Sequence, residues 1–262
     1  VVSIINVSDE NNNSMDNAFW NGAAIFYGNG GTAFQPLAKS LDVAGHEMSH
    51  GVVSNSANLQ YQGESGALNE SFADIFGTMI DRDDWNLGDD IVNTQYFPSG
   101  ALRSMSDPHN GGSSLNDNGY QPRHTNEQYT GSQDNGGVHI NSGIANWAYY
   151  KYATAIGKDK AEDTYYRALT MYLTSNSQFV DARVGVIQAA EDLYGVGSSE
   201  ATAAGTAFDA VGIAAPTGGG GGGGGSNPGT GVGVIQPGDL PAVIGTDYIL
   251  SHDTDAFNSN TL

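Results

Sequence analysis

His46-Glu47-Met48-Ser49-His50 is an HExxH pattern, and Glu70 and Asp74 follow it in Gly66-Ala67-Leu68-Asn69-Glu70-Ser71-Phe72-Ala73-Asp74. On a helix, His46 and His50 lie one turn apart on one face. Two neutral imidazoles there can hold one Zn²⁺, and Glu47, one step round the helix, can face a water on that metal. Glu70 stands far enough beyond His50 for one helix to end, the chain to turn and a second helix to bring its carboxylate back. Two His and one Glu leave a fourth position for water, the arrangement of a catalytic rather than a structural zinc. Asp74 falls on the same helical face as Glu70 and can accept the free ring N–H of a ligand His, fixing its tautomer. Such a set suits metal-assisted peptide hydrolysis, in which Glu47 assists attack by zinc-bound water and no acyl-enzyme forms.

Positioning these groups requires two adjacent helices. The residue pattern predicts the first from Ser40 to Asn58 and the second from about Ser65 to Arg82, where Ala67, Leu68, Phe72, Ile75, Phe76, Met79 and Ile80 recur at helical spacing. Ahead of them Val1–Val7, Ala18-Phe19-Trp20 and Ala23–Tyr27 read as strands, broken by Asn11-Asn12-Asn13 and Asn29-Gly30-Gly31. Behind them, further helices are expected at Val138–Ile156, Lys160–Ser175, Val180–Tyr194 and Ser199–Val211, with Asp181 and Ser198 as starting residues. The Gly/Asn/Asp/Ser-rich stretch 83–136 is too long for an ordinary loop. It is expected to be anchored by something other than a core, such as bound ions.

The fold class expected is α+β, mainly helical, with a short N-terminal β portion. Its divisions are residues 1–37 (a short β portion), 38–215 (a helical zinc-binding catalytic lobe), 216–230 (a linker containing the glycine run Gly218–Gly225) and 231–262 (a truncated β-type accessory segment).

Composition narrows the function classes. The 262 residues hold 9 Lys and Arg against 29 Asp and Glu, a net charge of −20. That excess argues against nucleic acid, which needs clustered cations, and suits solubility and Ca²⁺ binding. With no cysteine in the chain, zinc ligands must be His or carboxylate and no disulfide staples the fold. No apolar run is long enough to span a bilayer. The chain opens Val1-Val2 without a start Met, so it reads as a processed or cut fragment, with any leader out of view.

HEMSH together with GALNESFAD resembles the thermolysin-like (M4, gluzincin) metalloproteases. Further matches follow in the same order: Asn17-Ala18-Phe19-Trp20-Asn21-Gly22, Ala101-Leu102-Arg103-Ser104-Met105-Ser106-Asp107-Pro108, Asp134–Gly143 and Ala207-Phe208-Asp209-Ala210-Val211-Gly212. The resemblance covers about residues 1 to 213. It implies that His46, His50 and Glu70 ligate zinc and that Glu47 is the general base, passing a proton to the leaving amine. It implies that His139 and Tyr61 hydrogen-bond the oxyanion, that Asp134 orients His139 and that Arg103 grips the substrate carbonyl. Asn17 and Ala18 match the edge that pairs with substrate backbone.

The resemblance also implies that Asp42, Asp81, Asp84 and Asp89 bind a pair of Ca²⁺ ions near the active site, with Asp81 and Asp89 shorter than the Glu usual there. Carboxylates so crowded would repel without a cation. The residues matching the wall of the family's S1′ pocket are Phe34, Leu37, Val43, Leu87, Ile91 and Leu102. All are apolar, which favours Leu, Ile or Phe after the cleaved bond and penalises a charge. Family members carry a longer β-rich half before the Asn-Ala-Phe-Trp motif, so apolar surface is expected where that half docks. Their own propeptide is a folding partner, protein and peptide substrates are the other partners, and a monomer is expected.

The leading expectation is therefore a secreted zinc-dependent neutral endopeptidase that cuts on the amino side of large apolar residues. A related gluzincin aminopeptidase would place its third ligand one residue nearer and carry a GxMEN-like motif, which this sequence lacks. An inactive metal-binding or surface-adhesion fragment is the alternative from another class.

Overall fold

A computed structural model describes residues 1–216. The linker and accessory segment expected beyond Pro216 lie outside the described residues. Among those described are six helices and five short strands, the mainly helical α+β arrangement expected from the sequence.

Strands β1 (Val2–Val7), β2 (Ala18–Trp20) and β3 (Ala24–Gly28) form one sheet in the order β1-β3-β2. β1 runs parallel to β3, and β2 pairs antiparallel with it, Ala18 opposite Tyr27. β2 is therefore an edge of this sheet. Val2, Ile4 and Ile5 of β1 are exposed, at 60%, 40% and 58%, an uncovered apolar row of the kind expected there.

Two helices follow: α1 (Leu41–Ser54) and α2 (Gly63–Ile80). Nearly every residue of α2 from Ser65 to Met79 is buried, so it is a core helix rather than a surface one. α1 and α2 meet at glycine. A Cβ on Gly77 would sit 2.8 Å from the Asp42 carbonyl oxygen, and one on Gly45 would sit 3.1 Å from Gly77 Cα. Without side chains at this crossing the two backbones approach closely, and the polar face of α1 is pressed on that of α2.

The remaining helices are α3 (Asp134–Ile156), α4 (Lys158–Met171), α5 (Phe179–Tyr194) and α6 (Ser199–Asp209). With α1 and α2 they enclose the main core, which includes Phe72, Tyr149, Tyr152, Tyr165, Leu169 and Phe208. Ser198 caps α6, its hydroxyl accepting from Ala201 N. Asp181 acts differently from expectation: it stands inside α5 and accepts from the backbone of the true N-cap, Gln178, in a capping box.

Residues 83–136 also depart from expectation. The stretch contains Leu87, Ile91, Val92, Phe97, Ala101, Leu102 and Met105, all buried. Six of these join the apolar cores: Leu87 and Met105 the main one, and Ile91, Val92, Phe97 and Leu102 a second cluster with Ala18, Ile25, Phe34, Leu37 and Val43. Strands β4 (Asn86–Leu87) and β5 (Arg103–Ser104) pair within it, Leu87 opposite Arg103. The long segment is thus held by apolar packing of its own. Its apolar residues are too widely spaced to show a period, which is why the pattern reads as loop.

Candidate active site

His46 and His50 stand on the face of α1 that meets α2, and Glu70 stands opposite. The ligand atoms converge: His46 Nε2 lies 3.1 Å from His50 Nε2 and 3.4 Å from Glu70 Oε2, and His50 Nε2 lies 3.5 Å from Glu70 Oε1. Tetrahedral Zn²⁺ with bonds of about 2.0–2.1 Å separates its ligand atoms by about 3.3–3.4 Å. Among the described residues this is the one group of three or more His, Asp or Glu side chains that comes together so closely.

The protonation pattern fits a cation as well. His46 Nδ1 is 2.7 Å from Asp74 Oδ1, and a carboxylate only accepts, so that nitrogen carries the hydrogen. Asn69 donates Nδ2 to Leu59 O at 3.0 Å, which turns its Oδ1 toward His50 Nδ1 at 2.9 Å. His50 Nδ1 is then also a donor. In the neutral rings both Nε2 atoms therefore present lone pairs to one point, beside a carboxylate. Glu70 Oε2 is buried there without a hydrogen-bond partner. Three electron-rich atoms so placed repel one another unless a cation lies between them, and buried polar atoms are seldom left unsatisfied. The donor set fits a divalent metal.

Asp74 is completely buried and accepts four hydrogen bonds. Besides His46 it takes Arg103 Nε at 2.8 Å, Arg103 Nη2 at 2.7 Å and Asn146 Nδ2 at 2.8 Å. Burial alone would raise its pKa, but the Arg103 charge and the His46 hydrogen bond hold it well below the usual carboxylate range. Burial likewise opposes ionisation of Glu70, yet His139, His50, His46 and Arg103 keep its pKa at about 2. For His46 burial favours the neutral ring, and the Asp74 contact outweighs it, so the pKa rises. Asn146 escapes the sequence reading, although it lies two turns past His139 on α3, a spacing that puts both on one face.

His139 and Tyr61 face the same carboxylate. The Tyr61 hydroxyl donates to Glu70 Oε1 and lies 3.0 Å from His139 Nε2. The tyrosine ring is partly exposed while its hydroxyl points inward. Burial, then the charge of Glu70, raises the phenol pKa well above the usual value, so the group remains a donor. Asp134 Oδ1 meets His139 Nδ1 at 2.6 Å, and its Oδ2 accepts His139 N at 2.7 Å and Ile140 N at 3.2 Å. One carboxylate thus orients the ring and caps the regular part of α3. Asp134, Asn135, Gly136 and Gly137 all have positive φ; this left-handed run turns the chain so that Asp134 folds back over the helix start. Burial lowers the His139 pKa less than Glu70 and Asp134 raise it.

Beside Glu47 opens an apolar pocket. Phe34, Leu37, Val43, Leu87, Ile91 and Leu102 line it with Ala18, His46, Glu47 and Arg103. Ala18 is buried on the edge strand β2. Asn17, just before it, holds Gly28 N with its carbonyl at 2.9 Å, and its side-chain Oδ1 is buried without a partner.

Asp42, Asp81, Asp84 and Asp89 crowd without meeting at a point. Asp42 is buried and accepts from Ser40 Oγ, Val43 N and Gly88 N. Asp84 accepts Asn86 N at 2.7 Å. Partial burial, then Asp84, Asp42 and Asp90, push the Asp89 pKa to about 6, and Asp81 is raised by burial with like-charge contributions from Asp42, Asp83 and Asp90. Lys158, which the sequence reading passed over, donates to Arg82 O at 2.8 Å and Asp84 O at 3.1 Å and lies 4.2 Å from the centre of the Trp85 ring.

Comparison with known proteins gives a consistent picture. Residues 1–54 match the model of the thermolysin metallopeptidase catalytic domain, and residues 57–213 that of the thermolysin metallopeptidase alpha-helical domain. The chain is 47% identical over 216 residues to bacillolysin of Bacillus cereus, covering 76% of this chain and 37% of that protein. It is 46% identical over 215 residues to an extracellular elastase of Staphylococcus epidermidis, covering 81% and 40%. Among solved structures, the precursor of protealysin, a metalloproteinase from Serratia proteamaculans, superposes with a TM-score of 0.70 at 34% identity, covering 76% of this chain and 66% of that one. The chain spans less than half the length of the curated relatives it matches.

Proposed function

The chain belongs to the thermolysin metallopeptidase family, and from that premise we propose that it is the metal-holding part of a secreted zinc endopeptidase that cuts on the amino side of large apolar residues. Residues 38–215 form its metal-binding lobe, and 1–37 belong to the β-rich lobe. The single observation that carries this reading is the trio His46, His50 and Glu70, whose ligand atoms stand 3.1–3.5 Å apart with both Nε2 lone pairs turned inward.

When bound, Zn²⁺ supplies Lewis acidity to a water and to the scissile carbonyl. Glu47, buried on the same helix and lining the pocket, takes the proton of the attacking water and delivers it to the leaving amine. His139 and Tyr61 donate to the oxyanion as charge develops, and Asp134 keeps the imidazole turned toward it. Arg103, fixed by two hydrogen bonds to Asp74, adds positive charge on the side of the carbonyl. Asn17 and Ala18 present the β2 edge to the substrate backbone. The pocket takes the side chain after the cleaved bond, and its apolar wall favours Leu, Ile and Phe. Secretion is supported by the likeness to an extracellular elastase, and a propeptide partner by the likeness to a protease precursor.

Calcium belongs to the same proposal. The raised pKa values of Asp89 and Asp81 mark carboxylates that a divalent cation would relieve.

The test is zinc content together with chelator-sensitive cleavage of casein and of a blocked dipeptide, in wild type and Glu47→Gln. The variant is expected to keep its metal and lose about 10²–10⁴ in kcat. Loss of metal in Glu47→Gln would mean that base and ligand have been confused, and failure to cut blocked peptides would turn the reading toward an aminopeptidase.

A further inference from the structure

Asp16 stands two residues before the edge strand and has no part in the constellation above. Its carboxylate accepts three consecutive backbone N–H groups: Oδ2 takes Thr32 N at 2.7 Å and Ala33 N at 3.0 Å, and Oδ1 takes Phe34 N at 3.1 Å. Successive N–H groups converging in this way form an anion-binding nest, and here the anion is a side chain of the same protein. The turn is tight as well as anchored. A Cβ on Gly31 would sit 3.2 Å from Asp16 Oδ2, and Gly30 has φ +71°.

What the turn presents is Phe34. That ring is 8% exposed and forms a wall of the apolar pocket. On its other side it stacks on Phe97, with centroids 5.5 Å apart and planes 29° apart. Around it the backbone is stitched to the next segment, Asn93 N donating to Ala33 O and Gln35 N to Ile91 O. Two residues after Asp16, Ala18 forms another part of the same wall. One carboxylate therefore ties the edge strand to the side of the pocket that it flanks.

We propose that Asp16 is a positioning residue for this pocket. By holding the amides of residues 32–34 it keeps the Phe34 ring in place, and so sets the preference for a large apolar side chain after the cleaved bond. This inference rests on the endopeptidase reading and deepens it. The chemistry calls for a carboxylate: Asn offers one acceptor oxygen and sets an NH₂ group against a backbone donor, and hydrogen bonds to an ionised acceptor are the stronger kind.

The experiment uses the full zinc-loaded chain and two blocked peptides that differ only in the residue after the cleaved bond, Phe or Ala. Asp16→Asn is expected to lower kcat/KM for the Phe peptide about tenfold, roughly 1.4 kcal/mol, and to leave the Ala peptide within about twofold. In a Phe34→Ala background the same substitution is expected to change the Phe-to-Ala ratio no further, because residues acting through one another are not additive. Asp16→Glu is read in the same way should the Asn variant fail to fold. Equal losses on both peptides, or a full additional loss in the Phe34→Ala background, would overturn the proposal. Amide hydrogen exchange at Thr32, Ala33 and Phe34 is the independent readout, expected to quicken in Asp16→Asn; unchanged exchange removes Asp16 as the group that holds the turn. A wild type that cleaves neither peptide removes the endopeptidase reading and the preference with it, while exchange still decides whether Asp16 holds the turn.

Discussion

Helix α2 and the loop that follows it carry two groups of carboxylates in opposite electrostatic states. In the middle of the helix, Glu70 and Asp74 are buried at 1% and 0% exposure, yet both are held ionised, Glu70 with a pKa of about 2. Just past its C-terminal end, Asp81 and Asp89 are less buried, yet their pKa values are raised, that of Asp89 to about 6. Burial opposes the charge at both places. The company differs. Around Glu70 and Asp74 stand Arg103, His46, His50, His139 and the amide of Asn146, whereas around Asp89 stand Asp84, Asp42 and Asp90. A protein that builds its own counter-charges fixes a geometry before any ligand arrives. One that gathers like charges leaves the balance unmade within that cluster.

The largest expected effect breaks the compensated group. Asp74→Asn leaves the buried guanidinium of Arg103 without a charge partner and asks one amide oxygen to replace two carboxylate oxygens. A loss of about 3–5 kcal/mol in unfolding free energy is expected by denaturant titration. Zinc affinity should also weaken about 10–100-fold, because the tautomer of His46 loses its anchor. Adding Arg103→Met to Asp74→Asn should recover part of the stability, though not the activity. If the single variant is as stable as wild type, the four hydrogen bonds on Asp74 do not balance charge as argued. A smaller effect sharpens the point: Asn146→Ala removes one neutral donor from the same carboxylate and should cost about 1–3 kcal/mol, with the metal retained.

The same contrast explains what the sequence discloses. His46, Glu47, His50, Glu70 and Asp74 are legible because their chemistry depends on spacing within one helix or between two successive ones. The helices α1 to α6 are legible for the same reason, being periodic over many residues. Asn146, Asp16 and Lys158 are not legible. Each is a common residue type, and the partner that gives it meaning is distant in the chain: Asp74 for Asn146, the 32–34 amides for Asp16, the carbonyls of Arg82 and Asp84 for Lys158. The stretch 83–136 misleads in a related way. Its turn-forming residues dominate the local composition, while Ile91, Phe97 and Leu102 become core only when α1 and β2 are brought against them. Local rules reveal a candidate metal site whose residues lie on successive helices; the wall of the pocket is assembled from segments that no local rule connects.

The smallest expected effect lies in the uncompensated loop, and its sign is the informative part. The Asp89 pKa of about 6 stands above its ordinary value of 3.8, so the folded state binds this proton more tightly than the unfolded chain does. The stabilisation it brings is complete below pH 3.8 and is lost as pH rises through about 6. Asp89→Asn, neutral throughout, escapes that loss. In calcium-free buffer the two proteins should melt together near pH 4, and the variant should melt higher by about 2 °C near pH 7. Raising the salt to about 1 M should close much of this gap, because Asp89 is exposed and its neighbours' charges are screened over about 3 Å. Adding millimolar calcium should reverse its sign, since the cation binds the carboxylate that the variant lacks. A gap that is independent of pH would show that these aspartates do not act on one another. A gap that depends on pH but ignores calcium would show that Lys158, already bonded to the loop, is the cation that balances it.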